Sequence, residues 1–391
     1  MDFKFTEEQE LLAASLIEFM DREFPESLMK ECDENHRFPE EANRKFFEAG
    51  FGTIGIPEEY GGTPADMVTM CMVMEIVHRY GWRCVRYTPL AFTSMLEFGS
   101  EEQKAKYLPN LAKGIHRSAF GITEPGAGSD AAGIKTTYKK VEGGYILNGS
   151  KIYNTGASIA AYNNIVARDA DVDDPHKAMS MFLVPMDTPG VRAVNLNKVG
   201  QWMEPTCETF LDNVFVPDSA LYGKEHGAWI QLMKHFEAER LLCAAMYFGM
   251  AQTAYADAVA YANSREQFGQ KIGNFQLIQE KITYMRIKIE NMHNMLYKTA
   301  WKYDQGISIR TECNMAKLYA CQSCWEIADD AMQILGGLGY TMDHRVQRIW
   351  RDARVGRIGA GSDQIMITTI AKNTLKEQAS KGYVGGTRGL G

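Results

Sequence analysis

The chain has 391 residues, of which 45% are hydrophobic and 23% charged, and its formal net charge is −7. This composition is typical of a globular protein with more than one domain, and an acidic chain without a basic face is not expected to bind nucleic acid. The N-terminus is acidic where a signal peptide would be basic, and the least charged stretch, residues 241–262, still contains Asp257. We therefore expect a cytoplasmic protein without membrane insertion.

The first third of the chain has helical spacing of its apolar residues. Thr6 and Gln9 stand at the spacing of a capping box, which predicts a helix start. The helical pattern breaks at 57–62 and resumes over 67–80. We predict an N-terminal helical domain over residues 1–117.

The pattern changes in the middle of the chain, where short β-branched and aromatic runs alternate with Asn-, Asp- and Gly-rich segments. This predicts a small antiparallel β domain over 118–226. Long helical patterns then return and predict a C-terminal helical bundle over 227–380, while the glycine-rich tail at 381–391 is expected to be flexible. The expected strands include 144–147, 164–167, 181–184 and 209–211.

The eight cysteines are scattered, and only Cys321 and Cys324 are closely spaced. No second pair or His-rich partner completes a zinc site, so we predict no metal. At positions i and i+3 of a helix, these two residues are expected to be reduced, core-facing thiols.

A glycine-rich loop at 121–130 is a candidate ligand site, because glycines let a ligand approach the main chain and its N–H groups. The loop is not a dinucleotide fingerprint, since the glycine that follows Gly128 is Gly133 and the fingerprint requires one at position 131. Taken alone, the loop is an ordinary tight turn.

Four stretches in a fixed order give this loop a context, namely 122–130, 147–156, 264–269 and 331–352. In order and spacing they closely resemble the acyl-CoA dehydrogenase family across essentially the whole chain. The resemblance implies a mainly α fold with a β insert: an N-terminal helical domain, a middle antiparallel β domain and a C-terminal four-helix bundle. It also implies FAD-dependent α,β-dehydrogenation of an acyl-CoA to the 2-enoyl-CoA.

Within the family, three stretches look most similar to the crotonobetainyl-CoA reductase branch, namely 275–279, 294–297 and 361–363. This similarity keeps a second reaction open, the reduction of a 2-enoyl-CoA. An acyl-CoA oxidase also remains open, because flavin exposure to oxygen cannot be deduced from the sequence.

The resemblance implies a set of FAD-binding residues. Tyr153 would lie beside the flavin ring and Thr155 near its N5 atom, while Arg265 and Phe268 resemble residues that a neighbouring subunit offers to the pyrophosphate and adenine. That sharing implies a homotetramer. The full implied set is Phe120, Ile122, Thr123, Gly128, Ser129, Tyr153, Thr155, Arg265, Phe268, Gln333, Gly337, Ser362 and Gln364.

The catalytic base is expected at an unusual place. Many family members carry a glutamate where this chain has Ala360, which cannot accept a proton. Others, isovaleryl-CoA dehydrogenase among them, place it on a helix just before an arginine, and Glu239 matches that position. Glu237 would point about 200° away from Glu239 on the same helix. The alternative is that Glu239 is solvated or paired with Arg240.

The resemblance also implies contacts with the substrate. The Ala360 backbone N–H is expected to polarise the thioester oxygen, and Ser129, Phe236 and Arg240 are expected to bind the acyl-CoA. Glutaryl-CoA dehydrogenase uses an arginine near the position of Arg86 to hold a substrate carboxylate.

This parallel leads to a substrate hypothesis. Arg86, or failing that Arg83, would bind a polar or carboxylated acyl group, as in a benzylsuccinyl-CoA-like substrate. The alternative is that both are surface arginines. Electrons would pass to an electron-transferring flavoprotein. A non-catalytic FAD- or acyl-CoA-binding scaffold is the remaining alternative, because Ala360 leaves the common base position empty.

Overall fold

The computed structural model describes residues 4–381, with side chains up to residue 379. Its N-terminal part is helical, as predicted, and Thr6 forms the expected capping box with Gln9 at the start of the first helix. The helices of this part are α1 (Glu7–Glu23), α2 (Glu26–Glu34), α3 (Glu40–Glu48), α4 (Met67–His78), α5 (Pro89–Phe98) and α6 (Glu101–Ala112).

A seven-stranded sheet follows, in the order β1-β4-β2-β3-β7-β6, with β5 on the free edge of β4. All four strands expected from the sequence are present. The prediction of an antiparallel sheet is wrong for β4, which runs parallel to both β1 and β2. The strands are β1 (Ser118–Gly121), β2 (Thr137–Val141), β3 (Gly144–Thr155), β4 (Tyr162–Asp169), β5 (Met179–Pro185), β6 (Val191–Asn195) and β7 (Thr206–Pro217).

The parallel pairings have a topological cause. The chain leaves β1, forms the β2–β3 hairpin and then returns along β1, so β4 runs in the same direction as β1. Alternation of side chains is the same in parallel and antiparallel strands, and sequence patterning therefore could not show this difference.

The C-terminal part is a helical bundle built around α7, which packs against α4, α8 and α9. The stretch 241–262 lies within α7 and is largely buried, as expected of a core helix. A short hairpin, β8 (Glu266–Gln267) with β9 (Gln270–Lys271), follows α7. The helices are α7 (Ala228–Ser264), α8 (Gln276–Asp304), α9 (Glu312–Leu335), α10 (Val346–Arg354) and α11 (Asp363–Lys381).

Several other expectations concern the whole chain. All eight cysteines are free, and Cys321 and Cys324 are buried, which confirms the prediction of core-facing thiols. Over residues 4–381, no helix is long and apolar enough to span a membrane. The predicted tail, except for residue 381 at the end of α11, lies outside the described residues.

Candidate active site

The loop at 121–130 lies against the end of β3. The N–H of Ile152 donates to the carbonyl oxygen of Thr123 at 2.8 Å. Two residues further along β3, the side-chain amide of Asn154 donates to the carbonyl oxygen of Phe120 at 2.7 Å. These bonds place the first residues of the loop beside the segment that contains Tyr153, so two of the four sequence motifs meet here.

A buried ion pair between Lys151 and Glu124 supports this loop. The Nζ of Lys151 lies 2.7 Å from a carboxylate oxygen of Glu124 and 3.2 Å from the carbonyl oxygen of Ile122. Glu124 also accepts from the N–H groups of Lys135 and Thr136, at 2.6 and 2.9 Å. Burial lowers the pKa of Lys151 to about 8. Neither residue of the pair was predicted from the sequence, because they lie 27 positions apart without any motif that links them.

The part of the loop around Gly126 and Ser129 is open to solvent. Gly128 and Ser129 are exposed, and a side chain added at Gly126 would meet nothing within 4 Å. Tyr153 is 68% exposed and has a left-handed backbone with φ of 56°. The hydroxyl groups of Thr123, Ser129 and Thr155 supply hydrogen-bonding groups, in addition to the exposed Tyr153 ring and the open backbone of the loop. This donor set fits a flavin with its ribityl chain.

The loop also lies next to α7. The ring of Phe120 stacks on that of His235, with centroids 4.7 Å apart and an interplanar angle of 13°. His235 lies one helical turn before Glu239, so this stack brings the candidate cofactor surface close to the candidate base. Burial lowers the pKa of His235 to about 4, and its Nε2 has no hydrogen-bond partner within the described part of the chain.

Glu239 is half-buried, and its carboxylate makes no hydrogen bond or ion pair with any side chain or main-chain group of the described residues. Burial raises its pKa above the usual 4.5, against the opposing charges of Arg240, Arg83 and Lys317. Glu237, in contrast, faces elsewhere and pairs with Arg310 at 3.5 Å. The alternative of a Glu239–Arg240 ion pair is therefore not what the structure shows.

The turn that carries Ala360 lies beside Arg240. Ala360 has a left-handed backbone with φ of 52°, and its carbonyl oxygen accepts from the Nε of Arg240 at 3.5 Å. Within residues 4–381, the N–H of Ala360 donates to no acceptor of the protein. This N–H is thus available to a ligand, as expected. The guanidinium of Arg240 also lies 5.1 Å from the ring centroid of Phe236.

The two arginines proposed for the acyl pocket have different surroundings, and these favour Arg83 over Arg86 as the candidate. The guanidinium of Arg86 pairs with Glu40 on α3, with one nitrogen–oxygen distance of 2.6 Å, and lies 4.2 Å from the ring centroid of Phe38. This pairing favours the alternative of a surface arginine for Arg86. Of these two arginines, Arg83 is the one whose charge, together with that of Arg240, lowers the pKa of Glu239. Its left-handed backbone, with φ of 47°, changes the direction of the loop and could not be deduced from the sequence.

Arg83 belongs to a cluster with excess positive charge. Its Nη1 lies 3.5 Å from Glu204, and the same buried carboxylate pairs with Arg117. Two guanidinium groups thus share one carboxylate. Burial lowers the pKa of Arg117 to about 9, and the two neighbouring arginines, Arg83 and Arg86, add to this effect. An additional anion would therefore be stabilised beside Arg83.

The remaining candidate FAD residues lie either next to the Ala360 turn or far from it. Ser362 and Gln364 lie just after the Ala360 turn. Arg265 directly follows the last residue of α7 and is 26 residues beyond Glu239, about 39 Å at about 1.5 Å per residue, so it cannot reach the same end of a bound cofactor. Phe268 is 94% exposed on the hairpin after α7.

The last two candidates lie where α9 ends. Gln333 is exposed in the last turn of that helix, and a side chain added at Gly337 would meet nothing within 4 Å. Gln333 is 16 residues beyond Lys317 on α9, about 24 Å, so it too is distant from the Ala360 turn. The structure thus brings together the residues near the flavin ring and leaves the adenine-side candidates exposed elsewhere.

Comparison with known proteins identifies the family of the chain. The N-terminal, middle and C-terminal domain models of acyl-CoA dehydrogenase match residues 6–115, 119–214 and 227–375. The chain is 44% identical over 383 residues to the probable acyl-CoA dehydrogenase YdiO of Escherichia coli (strain K12), covering 97% of this chain and 100% of the relative.

Solved structures are also similar. A chain described under the electron transferring flavoprotein of Acidaminococcus fermentans matches with a TM-score of 0.91 and 34% identity, over 96% of this chain and 100% of that one. A glutaryl-coenzyme A dehydrogenase–glutaryl-CoA complex matches with a TM-score of 0.91 and 32% identity, over 99% and 100%. An FAD complex of PigA matches with a TM-score of 0.91 and 27% identity, over 97% and 100%.

The chain belongs to the acyl-CoA dehydrogenase family. It is an FAD-dependent enzyme that acts on acyl-CoA, which confirms the resemblance stated from its motifs. The reductase-like branch is not singled out by these relatives.

Proposed function

We propose that this enzyme removes the α-proton and the β-hydride from a polar or carboxylated acyl-CoA, with Glu239 as the base. The observation that carries the proposal is the half-buried Glu239 carboxylate, which has no hydrogen-bond partner among the described residues and lies one turn from the stack between His235 and Phe120. A carboxylate without a partner, whose pKa is raised by burial, is suited to accept a proton near neutral pH. The vacancy at Ala360 leaves Glu239 as the carboxylate at a family base position.

The residues around Glu239 have complementary tasks. The Ala360 N–H would bind the thioester oxygen, which makes the α-proton more acidic by stabilising the negative charge that develops there. Arg240 holds the carbonyl of the same residue and so keeps this turn in place. Phe236 and Ser129 would contact the acyl-CoA on either side. When bound, FAD supplies the acceptor for the hydride that leaves the β-carbon.

Arg83 supports a substrate with a negative or strongly polar acyl end. Arg83 and Arg117 share Glu204, so part of their hydrogen-bonding capacity and positive charge remains for a ligand. A bidentate carboxylate–guanidinium contact would be favoured there. A benzylsuccinyl-CoA-like dicarboxylic thioester is one example of this class. The chain's similarity to a glutaryl-CoA-bound dehydrogenase supports the same assignment.

An electron-transferring flavoprotein is the proposed electron acceptor, supported by the neighbour described under such a protein. A homotetramer is supported by Arg265 and Phe268, which lie far from Glu239 and are exposed, as expected of residues offered to a neighbouring subunit.

The test is a panel of straight, branched, aromatic, dicarboxylic and betaine-type acyl-CoAs. Each would be incubated anaerobically with the FAD-loaded protein and an artificial electron acceptor, and the thioester followed by mass spectrometry. We expect loss of two hydrogens, fastest for a dicarboxylic member. Turnover of only the matching enoyl-CoAs with a reduced donor would instead support the reductase reaction. Bound FAD without turnover in either direction would support the scaffold.

A further inference from the structure

Lys317 is a buried cation without an anionic partner. It lies on α9, its side chain is 0% exposed, and it forms no ion pair with any carboxylate of the described side chains. Its Nζ donates instead to the carbonyl oxygens of Gly356 and Gly361, at 2.7 Å each. Burial of an ammonium group is costly, so a cation that is bound only by carbonyl dipoles needs another reason to be present.

The two carbonyl groups flank the turn that carries Ala360. Between them, Ala360 and Gly361 both have left-handed backbones, with φ of 52° and 93°. A left-handed alanine is strained and persists only where its surroundings hold it. Lys317 holds the turn at two points, and Arg240 holds it at a third through the Ala360 carbonyl. The Gly359–Ala360 peptide, whose N–H is free, lies within this clamp.

We propose that Lys317 is a positioning residue, which fixes the turn at 356–361 so that the Ala360 N–H points at the thioester oxygen of bound acyl-CoA. This inference rests on the proposed function, because it assumes that the Ala360 N–H binds that oxygen. Lys317 itself does not touch the reacting atoms in this proposal. It acts through the backbone, and the geometry of an oxyanion donor is sensitive to small displacements.

Lys317 has a second effect, through its charge. Glu239 is surrounded by Arg240 on α7, by Arg83 from the loop before α5 and by Lys317 from α9, and all three lower its pKa against the effect of burial. The Cys243 thiol lies one turn further along α7, and its pKa is lowered by the Cys321 thiol and also by the charges of Lys317 and Arg83. Removal of Lys317 would therefore raise the pKa of Glu239 and move the rising limb of the kcat–pH profile to higher pH. The shift of this limb reports the charge of Lys317, whereas the thioester carbonyl frequency reports its hold on the turn.

The experiment reads the thioester hydrogen bond directly. The probe is the 2-enoyl-CoA product of the most active panel member, labelled with carbon-13 at the thioester carbonyl and bound to the FAD-loaded enzyme. Isotope-edited infrared spectroscopy gives the carbonyl stretching frequency, which falls when the oxygen accepts a strong hydrogen bond. We expect a shift to lower frequency in the wild type, loss of most of that shift in Lys317→Met, and partial recovery in Lys317→Arg.

Matched variants separate positioning from general damage. Lys302→Met removes another lysine of the bundle, one that bonds Glu312 rather than the turn, and should leave the frequency unchanged. Glu239→Gln should also keep the wild-type shift, because it removes the base and not the donor. We expect Lys317→Met to lower kcat roughly 10- to 100-fold with a smaller change in KM. If Lys317→Met does not fold, Lys317→Gln, which can still bind one carbonyl, takes its place.

The outcomes distinguish the two proposals. No shift in the wild type would overturn the role of the Ala360 N–H in the proposed function, and this inference with it. A wild-type shift that persists in the folded Lys317 variants would overturn the inference alone, whether or not the pH limb moves. A shift lost in Lys317→Met and kept in Lys302→Met would support both.

Discussion

Two carboxylates in this molecule, the buried Glu124 and the half-buried Glu239, have opposite surroundings. Glu124, under the loop at 121–130, pairs with the Lys151 ammonium and accepts two backbone N–H bonds. Glu239, on α7, accepts no hydrogen bond within the described structure, although three cations lie near it. Accordingly, the pKa of Glu124 is lowered although burial would raise it, while that of Glu239 is raised.

The difference is the one expected between a structural carboxylate and the proposed base. A buried carboxylate whose hydrogen-bonding capacity is filled holds its neighbours in place but has little reason to change its protonation state. A carboxylate that is desolvated and unbonded can accept a proton with little reorganisation. We therefore expect substitutions at the two positions to affect different measurements, one the rate and the other the stability.

The largest effect is expected for Glu239→Gln. Without a base, kcat should fall by about 10²- to 10⁴-fold while FAD remains bound. In the wild type, kcat should rise with pH through a midpoint above the usual glutamate pKa of 4.5, because only the ionised carboxylate accepts a proton. Stopped-flow measurement of anaerobic flavin bleaching gives both quantities. Glu237→Gln, on another face of the same helix, is the matched control and should stay close to wild type. Equal losses in the two variants would remove the assignment of Glu239 as the base.

Lys151→Met should act on stability. It leaves Glu124 as a buried charge without its cation, which costs about 3–5 kcal/mol of unfolding free energy. The carbonyl of Ile122 also loses a donor, so FAD should dissociate more readily. Denaturant unfolding followed by circular dichroism checks the first effect, and flavin fluorescence checks the second. Adding Glu124→Gln should recover part of the loss. A double variant that is less stable than Lys151→Met would contradict this account of the pair.

The smallest effects are expected for the two arginines, and they test the substrate class. Arg83→Leu should reduce the preference for carboxylated over plain acyl-CoAs by about 10- to 100-fold in kcat/KM, since a charged hydrogen bond is lost. Arg86→Leu is the matched control. Its partner Glu40 is 64% exposed, so we expect less than about 1 kcal/mol of destabilisation and an unchanged preference. A preference that depends on Arg86 instead would reverse the assignment.

Much of the architecture could be predicted from the sequence. Helical and alternating patterns gave the α, β, α order, because the spacing of apolar residues reports which side of an element is buried. Glu239 was proposed as the base from its family position together with the alanine at position 360, and the different orientation of Glu237 followed from helix geometry alone. These are local properties or one-dimensional motifs.

The tertiary structure decided what depends on distant partners. The parallel direction of β4, the Lys151–Glu124 pair and the bonds from Lys317 to the Ala360 turn join residues 27 to 44 positions apart. The preference for Arg83 over Arg86 as the candidate substrate ligand depends on the left-handed backbone of Arg83 and on Glu40, the partner of Arg86 on another helix. Side-chain patterns record burial, whereas charge pairing depends on which distant groups the fold brings within a few ångströms.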